Sequence, residues 1–253
     1  MRSVFKIPFG SYNESWIVSF GADTFVEYYC CECCESVFKN PYDSNENQYW
    51  SGWNSYRIDA FKKGVQQGYR DRYASIAPHI PKDSEVVVDA ACGGAEYLRL
   101  IREDPSLHVG HLVGFELESA IAEYVRSLGF DGRQADVKIP GYAPDLEGRA
   151  DCVIFSEAFE HVVFPLRTIG YLMKLLRPGG MLWFSAQRVA PALRMKIHED
   201  TAVTKEGISL MAERLHCSVV SMDAVCEENP AWYVVFQKGK VLECFPTSCQ
   251  NKL

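Results

Sequence analysis

The segment Ser156-Glu157-Ala158-Phe159-Glu160-His161 sets two carboxylates and an imidazole close together. If it enters a helix, Glu157, Glu160 and His161 stand at i, i+3 and i+4 and share one face. Histidine is the side chain that ordinarily titrates near neutrality. His161 is therefore the first candidate for a general base, with Glu160 orienting it or standing in for it. A Glu-His pair can equally cap a local helix and brace a loop.

A second stretch, Val86-Val87-Val88-Asp89-Ala90-Ala91-Cys92-Gly93-Gly94-Ala95-Glu96, reads as a buried strand running into a small-residue turn that opens a helix. Such a turn presents backbone N–H groups, and short side chains at 90–95 let a ligand approach them. A dinucleotide fingerprint in register with Gly93 needs glycines at 91 and 96, where this chain has Ala91 and Glu96. A phosphate loop ending in Gly-Lys-Ser/Thr is absent altogether. Glu116, ending the run Leu112-Val113-Gly114-Phe115, can accept hydrogen bonds from both hydroxyls of a ribose. Asp136, near the end of a third strand at Arg133-Gln134-Ala135-Asp136-Val137, can accept from an adenine amino group. An adenosine with free ribose hydroxyls fits this set and a 2′-phosphate does not. Taken singly, each acidic residue reads as well as a solvated strand end or a helix cap.

The elements that must position these residues are legible from Ser84 onward. Val86–Val88, Leu112–Phe115, Val153–Phe155 and Met181–Phe184 are apolar runs without alternation, as expected for strands covered on both faces. Ile121, Tyr124, Val125 and Leu128 follow a helical stripe that Gly129 ends. Leu166, Ile169, Met173 and Leu176 form another, ended by Arg177-Pro178-Gly179-Gly180, and Ile208, Met211, Ala212 and Leu215 a third. Alternation at this spacing predicts an α/β fold, a doubly wound Rossmann-like seven-stranded sheet. The last runs, Cys217–Met222 and Trp232–Phe236, leave no room for a crossover helix and predict an antiparallel edge hairpin.

Residues 1–80 read as an aromatic-rich N-terminal cap over the mouth of the sheet, and residues 81–253 as the cofactor-binding domain. The cap carries Tyr28, Tyr29, Tyr42, Tyr49, Trp50, Trp53, Tyr56, Tyr69 and Tyr73, and Ser55–Ile76 is expected to be helical. Trp50, Trp53, Tyr56 and Arg57 could close an aromatic pocket or simply form the cap's own core.

The composition bounds the partners. A formal charge of -7 over 253 residues disfavours nucleic acid. No apolar run is long enough to cross a bilayer and no secretory leader is visible, so the expected location is cytoplasmic and free of membrane. The ten cysteines then read as free thiols.

In order and spacing, "VVVDAACGGAEYLRLI", "LVGFELESAIAEYVRSLGF", "GRQADV", "ADCVIFSEAFEHV" and "LLRPGGMLWFS" resemble the motifs of class I S-adenosylmethionine-dependent methyltransferases. The closest likeness is to the small-molecule branch, which includes ubiquinone-pathway O-methyltransferases and sugar and natural-product methyltransferases. The resemblance implies an enzyme that uses S-adenosylmethionine, yields S-adenosylhomocysteine and takes a small-molecule substrate, most simply at oxygen. It places Asp89, Ala91 and Gly93 at the methionine part of the cofactor and Glu116 at the ribose. It also places Leu117 on the adenine face, Asp136 and Val137 at the adenine edge, and Ser156 beneath the sulfonium. Ala91 and Ala95 stand where the family commonly has glycine, a change that costs little if φ is negative there.

The Glu-x-x-Glu-His pattern also resembles the metal site of small-RNA 3′-terminal 2′-O-methyltransferases, which needs one further histidine downstream; His198 lies in a suitable region, and two carboxylates with two imidazoles could hold a divalent metal, but none is assigned here. Cys31 and Cys34, within Cys30-Cys31-Glu32-Cys33-Cys34, resemble the second half of a zinc ribbon. Its first half is missing, since residues 1–29 hold neither cysteine nor histidine, so buried thiols or a structural relic is the expectation. Two other function classes stay open. One is a non-catalytic cofactor-binding regulator, motivated by the two alanines, and the other is a methyltransferase acting on RNA or protein. Oligomeric state is not set by any motif.

Overall fold

The computed structural model describes residues 2–8, 25–39, 54–189, 201–225 and 230–239. Tyr42, Tyr49, Trp50, Trp53 and His198, with the side chains of Tyr28, Tyr29 and Tyr56, lie outside what is described.

A seven-stranded sheet has the order β10-β11-β8-β7-β4-β5-β6. Its strands are β4 (Asp83–Ala90), β5 (His108–Glu116), β6 (Asp131–Gln134), β7 (Ala150–Phe155), β8 (Leu176–Gln187), β10 (Cys217–Val225) and β11 (Ala231–Lys238). The first five run parallel. β11 pairs antiparallel with both β8 and β10, as the missing crossover required.

The apolar runs are continuous because both faces are covered. Val86, Val88, Val153, Phe155, Leu182 and Phe184 join one buried cluster. The intervening Val87, Cys152, Ile154 and Trp183 join the other. Helices α5 (Pro165–Leu175) and α6 (Lys205–Arg214) close the first face with Ile169, Met173, Ile208 and Met211. The second is closed by α2 (Gln67–Ile76) and α3 (Glu96–Glu103) through Ile76, Tyr97, Leu100 and Ile101. Helix α4 (Ser119–Ser127) ends at Gly129, whose φ of 85° reverses the chain as expected. Its close seat on the sheet depends on Gly132, where an added Cβ would lie 2.6 Å from the Ala122 carbonyl oxygen.

The chain order places the site. From β4 it runs outward to β5 and β6, then returns to β7 and β8 on β4's other side. A crevice must therefore open at the carboxyl ends of β4, β5 and β7, where the order reverses.

Three local expectations differ from what is found. Ser55–Ile76 is two helices, α1 (Asn54–Phe61) and α2, parted at Gly64 with φ of 97°. β6 stops at Gln134, so Asp136 sits in the following turn, where it accepts the Lys138 N–H at 3.0 Å. β8 begins at Leu176, so Arg177–Gly180 belongs to the strand rather than to a separate turn. A second sheet, β1 (Arg2–Pro8), β2 (Phe25–Cys30), β3 (Val37–Lys39) and β9 (Thr201–Ala202), joins the N-terminal segment to a strand from the later half of the chain. Among the described residues, no helix is long and apolar enough to cross a membrane.

Candidate active site

The turn after β4 is strained. Ala91, Gly93 and Ala95 have φ of 61°, 51° and 62°, so both alanines take the left-handed conformation. The condition under which alanine costs little here, a negative φ, is not met. A Cβ in this region costs about 1–2 kcal/mol, and the surrounding structure must impose it. The restraints are visible: Cys92 N–H donates to the Phe115 carbonyl at 2.8 Å and Ala95 N–H to the Cys92 carbonyl at 2.9 Å. Gly93 N–H donates to Glu116 Oε2 at 3.0 Å, while Leu117 N–H donates to Glu116 Oε1 at 2.9 Å. Ala91→Gly is expected to raise stability by up to about 1 kcal/mol, the strain released less the freedom gained by the unfolded chain. The midpoint of urea unfolding reads this directly.

Gly94 answers a different need. A Cβ there would lie 2.4 Å from the ring of Phe61, which α1 lays across the turn. Phe61 in turn stacks on Tyr124 with ring centroids 6.2 Å apart, and the Arg57 guanidinium lies 5.8 Å from its centroid.

Around this turn three carboxylates are buried together: Asp89, Glu96 and Glu116. Burial pushes Asp89 well above the usual carboxylate range, and the charges of Glu96 and Glu116 add to the push. Asp89 Oδ2 is buried with no hydrogen-bond partner among the described residues. Burial also raises Glu96, although its own N–H, that of Gly94 and the guanidinium groups of Arg99 and Arg57 work against the rise. An acidic, desolvated recess of this kind favours a cationic ligand.

An open cleft lies along the strand ends. It is lined by Ala91, Glu116, Leu117, Asp136, Val137, Glu157 and His161 from the expected set, together with Arg57. Asp89, Gly93, Ser156 and Glu160 do not line it. Gly93 reaches it through Glu116, and the Ser156 hydroxyl is engaged behind it, 2.9 Å from Tyr97 Oη.

The shared helical face of Glu157, Glu160 and His161 is not formed. Only Phe159–His161 makes a single 3₁₀ turn, and α5 waits until Pro165, which holds Phe164 out of the helical region. Glu157 lies before the turn with φ of 52°, its N–H donating to Ser185 Oγ at 2.7 Å. Its carboxylate takes a two-pronged bond from Arg72 of α2, at 2.6 and 3.0 Å, and Arg72 Nε also donates to Tyr97 Oη at 3.0 Å. These side chains tie α2, α3 and the ends of β7 and β8 into one polar cluster. Arg72, Tyr97, Ser185 and Phe61 were not foreseen, because their partners are far away in sequence and no local spacing marks them.

Arg72→Ala should cost about 1 kcal/mol, the usual worth of charge-assisted bonds discounted because Glu157 is half exposed. A double-mutant cycle with Glu157→Gln in urea unfolding measures the coupling. Among the described residues, no group of three or more His, Cys, Asp or Glu side chains gathers as a metal site.

Comparison with known proteins agrees with this architecture. A family model described as "Methyltransferase domain" matches residues 61–229. The ubiquinone biosynthesis O-methyltransferase of Aromatoleum aromaticum (strain DSM 19018 / LMG 30748 / EbN1) is 29% identical over 119 residues, 46% of this chain and 47% of that protein. The chain thus aligns with about half the length of that relative. A Haloferax volcanii putative methyltransferase, solved in complex with the Trm112 methyltransferase activator, superimposes with a TM-score of 0.62 at 14% identity, covering 74% of this chain and 98% of that one. The Burkholderia thailandensis 1,6-didemethyltoxoflavin-N1-methyltransferase, solved with 1,6-didemethyltoxoflavin and S-adenosylhomocysteine bound, gives 0.56 at 16% identity, covering 85% and 96%. The reversal of strand order beside β4, the carboxylate at the end of β5 and a family match across most of the sheet converge, and the chain belongs to the methyltransferase-domain family, on the class I S-adenosylmethionine-dependent fold.

Proposed function

We propose that this chain transfers the methyl group of S-adenosylmethionine to a hydroxyl of a small-molecule acceptor. The observation that carries this reading is that one cleft is lined both by Glu116, Leu117, Asp136 and Val137, whose chemistry suits adenosine, and by the imidazole of His161.

When bound, S-adenosylmethionine supplies an electrophilic methyl on a sulfonium; the chain's residues hold and align the partners. Glu116 Oε2 accepts one backbone N–H, from Gly93, and keeps a lone pair for a ribose hydroxyl; Oε1 accepts Leu117 N–H at 2.9 Å and Glu118 N–H at 3.5 Å, and a second hydroxyl would take the place of the longer bond. Leu117 packs on adenine, and Asp136 with Val137 meets its edge. Asp89, Ala91 and Gly93 serve the methionine part, where the unpartnered Asp89 oxygen attracts the ammonium directly or through water. Ser156, just past β7 and with its hydroxyl 2.9 Å from Tyr97 Oη, would serve the sulfonium side. On the acceptor side, His161 takes the hydroxyl proton with Glu160 as its neighbour, and Glu157, held by Arg72, shapes the wall rather than moving protons. Within the proposed N-terminal cap, α1 sets Phe61 over the turn, and the Arg57 guanidinium lies 5.8 Å from the centroid of that ring.

The named activity of the Aromatoleum relative favours an oxygen acceptor. The test is calorimetry with S-adenosylmethionine, followed by mass analysis of a panel of phenols, catechols and sugars. Binding with methylated phenolic product supports the reading, and no binding sinks it. The strained alanines favour one second reading, a cofactor-binding regulator, which predicts binding without turnover across the panel.

A further inference from the structure

Helix α2 and the corner after β7 are joined by a closed ring of hydrogen bonds. Arg72 grips the Glu157 carboxylate with both ends of its fork, Nη1 to Oε1 at 2.6 Å and Nη2 to Oε2 at 3.0 Å. Its Nε donates to Tyr97 Oη at 3.0 Å, and Tyr97 Oη lies 2.9 Å from the hydroxyl of Ser156, the chain neighbour of Glu157. The ring has a direction. The Arg72 side chain is 20% exposed and its guanidinium carbon lies 5.1 Å from the centroid of Tyr69, whereas the Glu157 side chain is 49% exposed. Arg72 is thus the seated half of the pair, and Glu157 is the half that lines the cleft. Glu157 also keeps a left-handed φ of 52°, unfavourable for a residue with a Cβ, and the 2.7 Å bond from its N–H to the buried Ser185 Oγ holds it there. A carboxylate has about four lone-pair positions, of which the fork takes two. The others remain for a ligand, on a group fixed in place at the cleft wall.

We propose that Glu157, positioned by Arg72, determines acceptor specificity: it selects small molecules that bring a second hydrogen-bond donor, a hydroxyl or an ammonium, and turns away those with a carboxylate in that place. The inference rests on the methyl-transfer reading, in which the first hydroxyl meets His161. Because the guanidinium balances the Glu157 charge, a neutral hydroxyl is accepted as well as a cation. Without Arg72 the wall carries an uncompensated carboxylate, which draws cations and repels anions further. Without the Glu157 charge, the Arg72 guanidinium is left to attract an anion. Arg57 and Lys138 line the same cleft and are where an anionic acceptor would otherwise bind.

The test uses the full chain, treated with EDTA and saturated with S-adenosylhomocysteine. Calorimetry compares three ligands that differ in one group: a hydroxybenzyl alcohol, the matching hydroxybenzylamine and the matching hydroxybenzoate. Wild type should bind the alcohol and the amine at least about ten-fold more tightly than the acid. Glu157→Gln should shrink that preference at least about five-fold, and Arg72→Ala should widen the gap between amine and acid by a similar factor. Lost packing would weaken all three ligands alike, so opposite movements separate specificity from a structural role. Arg72→Lys restores the charge and should bring the gap back toward wild type, and Arg70→Ala, exposed on the same helix, should match wild type. The proposal is overturned by an acid that binds as tightly as its twins, by ratios that stay put in Glu157→Gln, by shifts of the same sign in Glu157→Gln and Arg72→Ala, by a preference that needs added Mg²⁺, or by no binding of any of the three. The expected ratios without methylation of any ligand, once S-adenosylmethionine replaces the product, would support the selectivity of Glu157 and remove the methyl-transfer reading alone.

Discussion

Asp89→Asn is expected to stabilise the ligand-free protein at neutral pH while weakening S-adenosylmethionine binding about 100-fold, the usual loss when one partner of a buried charge pair is removed. The two effects have opposite signs because they share one cause. Burial, reinforced by Glu96 and Glu116, raises the Asp89 carboxyl in the empty protein, and its Oδ2 has no hydrogen-bond partner among the described residues. A group raised on folding contributes stability that is present below its unfolded value, about 4 for a carboxylate, and is lost as pH climbs toward the folded value. Glu96 is raised too and acts in the same direction. The empty protein should therefore lose stability from mildly acid to neutral pH, and the thermal shift caused by the cationic cofactor should grow over the same interval. Asp89→Asn should flatten both trends. Melting temperatures across pH, with and without cofactor, decide the matter; a variant that melts earlier yet binds normally would remove Asp89 from the cofactor site.

The strands around this site were legible because two-sided burial leaves no polar alternation: Val86–Val88 and Val153–Phe155 each feed both cores. The edge hairpin followed from chain length alone, since a short connection cannot carry a crossover helix. Glu116 and Asp136 could be placed because a strand end has a known direction in an open sheet, and both line the cleft. The conformation of the turn could not be read in the same way. Left-handed φ at Ala91 and Ala95 is imposed by bonds to Phe115, Glu116 and Cys92, which no residue type announces. Glu157 failed as part of a helical face for a related reason. The i, i+3, i+4 spacing describes what a helix would do, while Arg72, 85 positions earlier, and Ser185 hold the residue outside one.

His161→Ala should lower kcat by about 10²–10⁴, the range for loss of a positioned base, and leave cofactor affinity within about two-fold. The separation rests on the proposed division of the cleft lining: His161, Ala158 and Val162 line the same cleft as Glu116, Leu117 and Asp136, which the proposal assigns to adenosine. Methyl transfer draws most of its rate from alignment, so a residual rate above background should survive, and added imidazole should restore part of it. Glu160→Gln separates orientation from proton transfer, since a base that only needs bracing loses less than one that is removed. Glu157→Gln provides the contrast: with its carboxylate committed to Arg72, it should move stability more than kcat. Turnover unchanged in His161→Ala, with binding intact, would remove the imidazole from the chemistry and leave the reaction to alignment alone.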